Sequence, residues 1–442
     1  MKISLSDHFN FKRLIIFTLP CIFMMIFTSI YGVVDGYFVS NFAGDVAFAS
    51  VNFIFPVIMV LSSLGFMFGA GGSALISKTL GEQNPKKANE IFSLLTYVCI
   101  ILGIVLSIIT IIFIEPITIW LGAEEEMIKP CVNYARIILS VLPFNILQFY
   151  FQALMVTAEK PRVGLMVTLI AGCTNMILDG LFIAVFKWGI VGAASATALS
   201  IVAGGLIPLI YFIRKNDSLL RLGHTTLDFR SLGKVLINGS SEFVSNISMS
   251  IVSMLYNYQL MKYLGRDGVS AYGTYMYVGF IFLAIFIGYS SGTAPIVGYN
   301  YGAKNHKELQ GVYKRGLLFI LATSIAMVIF GELMAYPLSV LFVGYKEELL
   351  QLTIRAMLIS SISFLFTGIS IYASSFFTAL NNGLISALIS FLRTLVIQVL
   401  AILLLPLLIG VDGIWVSIIV AEALSALISI IFLLAKKKQY NY

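Results

Sequence analysis

Twelve runs of about twenty or more predominantly apolar residues, at 14-39, 46-77, 91-114, 131-156, 163-186, 190-213, 235-262, 269-298, 316-335, 350-378, 384-408 and 413-434, decide what this chain can fold into. Within hydrocarbon every backbone N–H and C=O must be paired inside the protein, so runs of this length fold as helices. The composition agrees: 59% of residues are hydrophobic and 11% charged, against roughly 25% charged in soluble domains. The expectation is an all-α integral membrane protein with twelve transmembrane helices. An even number of spans puts both termini on one side. The second, eighth and tenth runs exceed a membrane thickness and imply tilt or extension beyond the lipid.

The first run follows Lys12 and Arg13 directly and is too long for the h-region of a signal peptide. It carries Asp35 where a small-residue cleavage site would be needed, so it reads as a retained first span. The net charge of +7 does not indicate nucleic-acid binding, because the basic residues punctuate the apolar runs instead of forming a continuous surface. They instead give the orientation. Lys2, Lys12, Arg13, the loops on that side and the tail Lys436-Lys437-Lys438 are rich in Lys and Arg; the opposite loops hold only Lys129, Lys187, Lys262, Arg266 and Lys346. By the positive-inside rule both termini are cytoplasmic. Cys21, Cys99, Cys131 and Cys173 fall in or beside apolar runs without C-x-x-C spacing, which fits helix packing and not a disulfide or zinc framework.

The chain repeats itself. Gly44, Gly71, Gly81, Asn84 and Lys86 recur 221 residues later as Gly265, Gly292, Gly302, Asn305 and Lys307, and Trp188-Gly189-Ile190-Val191 has a weaker echo at Asp412-Gly413-Ile414-Trp415. Two pseudo-symmetric six-helix lobes follow, 1-213 and 235-442, joined by a basic cytoplasmic linker at 214-234. Six is even, so the halves are parallel repeats about an axis along the membrane normal, with a cleft between them, which is transporter architecture.

A carboxylate some twenty residues into an apolar run is expensive unless paired, protonated or facing water, and so marks a functional site. Asp35 is such a residue. Tyr31 and Thr28 lie one and two turns before it on the same helix face. In the fifth span Asn175 and Asp179 share a face, and Thr197 in the sixth follows a short connection that packs the two helices together. Two carboxylates, an amide oxygen and a hydroxyl suit a hard cation, so Asp35, Asn175, Asp179 and Thr197 are the expected coupling site for Na⁺ or H⁺. Gln148 and Gln152 share a face of the fourth span and, with Tyr31 and Asp35, are candidates to line a substrate cavity. Glu242, two turns into the seventh run, is either a site for cationic substrate or an acid facing the cytoplasm. Arg393 and Glu422, on adjacent spans, either neutralise one another or touch substrate. The counterpart of Asp35 at the repeat offset is Tyr256, so the acidic pair belongs to the first half alone. Gly69 to Ala74 and Gly288 to Gly292 lack the Lys-Ser/Thr of a phosphate loop and sit in apolar helix, so ATP hydrolysis is not expected.

The run from Gly69-Ala70-Gly71-Gly72-Ser73-Ala74 to Gly81, with its echo from Gly292-Thr293-Ala294-Pro295 to Ala303, resembles the multidrug and toxic compound extrusion (MATE) transporters, and within them the chain is similar to bacterial MepA-like members. That resemblance covers nearly the whole chain. It implies the MATE/MOP fold, a rocking alternation between inward- and outward-open forms, a functional monomer without catalytic activity, and export of lipophilic organic cations in exchange for Na⁺ or H⁺. The family's first-lobe cation site matches Asp35, Asn175, Asp179 and Thr197 residue for residue, with Tyr31 beside it. The seventh-helix acid that some members use lies deeper than Glu242 is expected to lie. A lipid-linked oligosaccharide flippase of the same superfamily is the alternative; it would need basic residues facing the cavity, and the first-lobe set is acidic.

Overall fold

The computed structural model describes residues 3–344 and 346–442; Lys2, counted above with the basic N-terminal end, lies outside the described residues. The first half comprises α1 (Phe11–Phe38), α2 (Asp45–Gly81), α3 (Pro85–Trp120), α4 (Glu125–Ser140), α5 (Leu142–Thr157), α6 (Pro161–Asp179) and α7 (Gly189–Ile213). The second comprises α8 (Phe229–Gly302), α9 (His306–Val343), α10 (Glu347–Ser361), α11 (Phe364–Ala379), α12 (Gly383–Phe391), α13 (Ile397–Ile409) and α14 (Asp412–Tyr440). Wider π-helical turns extend α1 over Val39–Ala43, extend α6 over Gly180–Val185 and join α12 to α13 over Leu392–Val396. Among the described residues nine helices are long and apolar enough to span a membrane; α4 with α5, bent by 58°, and α10 with α11, bent by 48°, bring that to eleven.

The twelfth span is hidden in α8. Its 74 residues would measure about 110 Å if straight, several membrane thicknesses. Gly265, at φ 63° and ψ −150°, breaks it. Tyr256 and Tyr272 would sit about 24 Å apart on a continuous helix, yet their rings stack with centroids 5.2 Å apart. The chain therefore folds back at Gly265, in a backbone region open essentially to glycine alone. Gly265→Ala is expected to cost about 1–3 kcal/mol and to lower the apparent melting temperature of the purified protein; an unchanged melt would show that the turn relaxes freely.

The repeated motif has a structural meaning at each residue. Asn84 and Asn305 are helix N-caps, their side-chain oxygens accepting from Lys87 N at 3.1 Å and Glu308 N at 3.2 Å, and the residues before them, Gln83 and Lys304, both take positive φ. These caps start α3 and α9 well before their apolar runs at 91 and 316, which is why both helices outrun the spans read from hydropathy. The glycines are points of close approach. A Cβ on Gly81 would strike the carbonyl oxygen of Tyr299, and one on Gly302 would strike that of Lys78. Both members of the second contact are the first contact shifted by the repeat, so the lobes meet through a pseudo-two-fold interface. The same reciprocity links Gly71, against Gly239, with Gly292, against Thr18.

Two cores form, and they do not divide cleanly at the linker. Leu14, Phe17 and Cys21 at the start of α1 belong to the core of the second half, and Val235 at the start of α8 belongs to the core of the first. Helix α8 begins at Phe229, so the connection between the halves is 214–228, shorter than the sequence suggested. It is fastened to the first lobe by Asp228, which accepts from Ser231 and from Lys87 Nζ at 2.9 Å; these partners hold its carboxyl well below the usual range.

Both termini lie at one end. Glu159 accepts from Ser4 Oγ and Leu5 N, Glu308 accepts from Phe9 N and contacts His8 Nδ1 at 2.7 Å, and Gln310 donates to the Asn441 carbonyl. Among the described residues, the hydrogen bonds between the two halves cluster at this same end, where His8 and Phe9 meet Glu308 and Arg315, Gln83 meets Tyr299, and Asn381 meets the Ala74 carbonyl. The lobes are sealed on the side that carries the termini.

Candidate functional site

Asp35 lies near the end of α1, beyond the part of that helix held in the second core, and faces α6 and α7. Gly172 lets α1 come close, since a Cβ there would meet the rings of Phe27 and Tyr31 at 2.5 and 2.8 Å. Asn175 Nδ2 donates to Thr197 Oγ1 at 3.3 Å, and Thr197 Oγ1 in turn donates to Asp35 Oδ1 at 3.5 Å. Asp179 lies near enough to Asp35 for the two carboxyl groups to interact electrostatically. The four residues chosen from sequence spacing therefore do converge.

This arrangement leaves acceptors without donors. Asp179 is fully buried and Asn175 is 2% exposed, yet both carboxyl oxygens of Asp179 and Oδ1 of Asn175 have no hydrogen-bond partner. Among the described residues no Lys or Arg pairs with Asp35 or Asp179. A buried acceptor left unsatisfied costs about 1–3 kcal/mol, more when charged. Ionised carboxylates only accept, so Asp35 and Asp179 can bond to each other only by sharing a proton; otherwise a cation must sit among the oxygens. Asp35, Asp179, Asn175 and Thr197 offer an all-oxygen set of the kind that suits a hard monovalent ion.

Sequence reasoning missed Tyr134, buried on α4 in the neighbourhood of Thr197 and of both carboxyls. Nothing local sets it apart from the other 20 tyrosines; only the bend between α4 and α5 and the packing of α4 on α7 bring it in.

A small pocket lies along α1 and α6 a turn or more from the acids, lined by Thr28, Tyr31, Gln148, Gln152 and Met155; Asp35, expected to line it, is not among its walls. Gly204 makes room for Gln148, whose Cδ lies 2.7 Å from where a Cβ would stand. Gln148 Oε1 is buried with no donor, ready for an N–H from a ligand. Tyr31 connects the two places: it lines the pocket with Gln148 and Thr28, and its backbone is one turn from Asp35. Among the described residues no Lys or Arg lines this cavity.

Glu242 does not join this set. Because α8 starts at Phe229, Glu242 is thirteen residues into its helix, and it remains two turns into the apolar run that begins at 235. It does not line the first-lobe pocket. Arg393 and Glu422 pair as expected, at 2.9 Å. At the position matching Asp35, Tyr256 donates to Gln398 Oε1 at 2.9 Å and shares a hydrogen bond with Ser417 Oγ at 2.8 Å. The second lobe thus has, in place of the Asp35 carboxylate, a hydroxyl bonded to neutral partners.

Fold and site together define an internally duplicated, multi-pass membrane protein with a buried acid cluster in one lobe. The family model MatE matches the chain twice, over residues 20–181 and 243–404, and the chain belongs to that family. The two matches are offset by 223 residues, close to the repeat read from the glycines. The chain is 28% identical over 428 residues to the multidrug export protein MepA of Staphylococcus aureus strain NCTC 8325 / PS 47, covering 94% of this chain and 92% of that one. It is 27% identical over 425 residues to MepA of Staphylococcus saprophyticus, with the same coverage. Among solved structures, MATE in complex with MaL6 superimposes with a TM-score of 0.93 at 22% identity over 98% of each chain. An outward-facing multidrug resistance MATE transporter of the MOP superfamily gives 0.92 at 23% identity, over 98% of this chain and 97% of that one. These two structures establish the fold.

Proposed function

We propose that the chain is a secondary active antiporter of the bacterial plasma membrane, acting as a monomer, that exports lipophilic organic cations in exchange for Na⁺ or H⁺. The observation that supports this best is the group of three buried acceptors without donors on Asp179 and Asn175, next to the carboxylate of Asp35. A proton or cation entering there draws Asp35 toward α6. Because Tyr31 and Thr28 share its helix, that movement reshapes the wall of the substrate cavity. Coupling requires ion and substrate to favour different conformations, and a shared helix supplies the means. The acids attract a cationic substrate, the rings and Met155 accept its apolar body, and Gln148 accepts its N–H groups. With termini in the cytoplasm, the sealed end corresponds to the outward-facing state. A flippase for a pyrophosphate-linked lipid is disfavoured by the lack of basic residues in the first-lobe cavity.

The test is ethidium efflux from proteoliposomes under a Na⁺ gradient or a pH gradient imposed separately. One gradient is expected to drive uphill efflux, and transport under neither would overturn the reading. Thr197→Val keeps the volume but removes the hydroxyl that bridges Asn175 and Asp35. The driving-ion concentration giving half-maximal efflux is expected to rise about tenfold, with maximal efflux little changed; an unaltered ion dependence would remove Thr197 from the site.

A further inference from the structure

The connection between the lobes, 214–228, is fastened along one face of α3. Arg221 N donates to Asn89 Oδ1 at 2.6 Å, Gly223 N to Ser93 Oγ at 3.0 Å, Thr225 Oγ1 to the Glu90 carbonyl at 2.8 Å, and Tyr97 Oη to the Gly223 carbonyl at 3.2 Å. Tyr97 marks a level. Beyond it the outer face of α3 is apolar, with Ile101, Ile104, Val105 and Ile108 exposed, and before it stand Lys86, Lys87, Asn89 and Glu90. A tyrosine where polar surface gives way to exposed apolar surface belongs at a membrane–water boundary. The connection is therefore held at the depth of the lipid headgroups.

Two kinds of side chain suit it to that place. Leu227 is 63% and Phe229 74% exposed, and Leu236 and Ile237 carry the exposed apolar face on into α8. Arg230 and Lys234, one turn apart on α8, are exposed beside them, as are Arg214, Lys215 and Arg221 on the connection. The acids of this segment do not neutralise these bases: Asp217 is held by Lys160 at 2.6 Å and Asp228 by Lys87 at 2.9 Å, both lysines of the first lobe. Among the described residues Arg214, Lys215, Arg230 and Lys234 have no carboxylate partner.

The duplication does not require this face. At the repeat offset of 221, Arg230 matches Phe9, and Thr226 matches Leu5; both Phe9 and Leu5 are fully buried in the second core. The segment before α1 is thus folded inward where its counterpart before α8 is turned out. Exposed apolar side chains beside unpaired basic ones fit a phospholipid with a negative headgroup, whose phosphate accepts from the guanidinium and ammonium groups while its chains cover Leu227 and Phe229. A soluble anion would engage the bases and leave the rings in water.

We propose that the connection between the lobes is a binding surface for anionic phospholipid, which holds the first lobe through the strap along α3. This does not rest on the transport reading, since it concerns lipid at the linker and not cargo.

The test is quenching of an indole placed on the surface. Phe229→Trp is made with Trp120→Phe and Trp188→Phe, which leaves only the fully buried Trp415 as background. In nanodiscs of phosphatidylcholine, brominated phosphatidylglycerol is expected to quench half-maximally at about a tenfold lower mole fraction than brominated phosphatidylcholine, a preference that shrinks in about 0.5 M NaCl because exposed charges are screened. Arg214→Gln with Lys215→Gln, and Arg230→Gln with Lys234→Gln, are each expected to reduce the preference to about threefold, and all four together to abolish it while quenching by the phosphatidylcholine persists. Lys436→Gln, Lys437→Gln and Lys438→Gln together remove charge from the same end of the molecule and are expected to leave it unchanged. Equal quenching by the two lipids, quenching by neither, or a preference that follows the tail lysines would overturn the proposal. So would loss of the preference on adding inorganic phosphate at constant ionic strength, which would identify a soluble anion as the occupant.

Discussion

Asp35→Asn is expected to abolish ion-driven ethidium efflux while leaving the protein folded. The amide keeps the shape and the Thr197 contact but removes the charge that faces Asp179. Taking one partner from a buried charged set costs about 3–5 kcal/mol, roughly two to three and a half orders of magnitude in ion affinity. Asp179→Asn separates the two coupling ions. An amide oxygen still ligates Na⁺ but cannot share a proton with Asp35, so residual Na⁺-driven efflux in that variant identifies Na⁺, and complete loss of pH-driven efflux identifies H⁺. Normal transport by Asp35→Asn would make the acid cluster structural.

The second large effect is expected at the interface between the lobes. Gly302→Val places a side chain against the backbone carbonyl of Lys78, where no rotamer change can relieve the clash. Overpacking typically costs about 1–3 kcal/mol, enough to move the balance between sealed and open forms roughly tenfold to a hundredfold. Cys21 reports it. This thiol is buried where α1 meets Gly288 and Gly292 of α8. In a Cys173→Ser background, which removes the exposed thiol, maleimide labelling of Cys21 in nanodiscs is expected to be slow while Gly302 is kept and at least tenfold faster once Gly302→Val is added. Equal rates would show that the glycine contact does not hold the closed side. Efflux should fall with the faster labelling, because a transporter that cannot seal one side cannot complete its cycle.

Much of the candidate site was legible because helix registers are local. Asn175 and Asp179 are four residues apart, and Tyr31 and Asp35 likewise, so each pair must share a face; the short connection before Thr197 made its helix a neighbour. Tyr134 was not legible, since its place depends on a bend at Val141 and on packing between spans remote in sequence. The start of α8 was not legible, because an apolar run marks where lipid begins and not where a helix starts. The cap at Asp228 starts α8 before that run. The turn at Gly265 was read correctly as a break between spans, for a reason the sequence also carries: its backbone conformation requires glycine.

By itself the sequence determined a membrane protein of twelve helical spans, its duplication and the pairing of acids along each helix. A bilayer forces every span to satisfy its backbone internally, so a local pattern is enough to define each one. Only the tertiary structure decided that the start of α1 packs in the second lobe's core while its end carries Asp35 into the first, that glycine contacts seal the end bearing the termini, and that the Arg393–Glu422 pair opens on a cavity. Those are contacts between helices far apart in the chain, set by how side chains from separate spans fit together, and no local pattern encodes them.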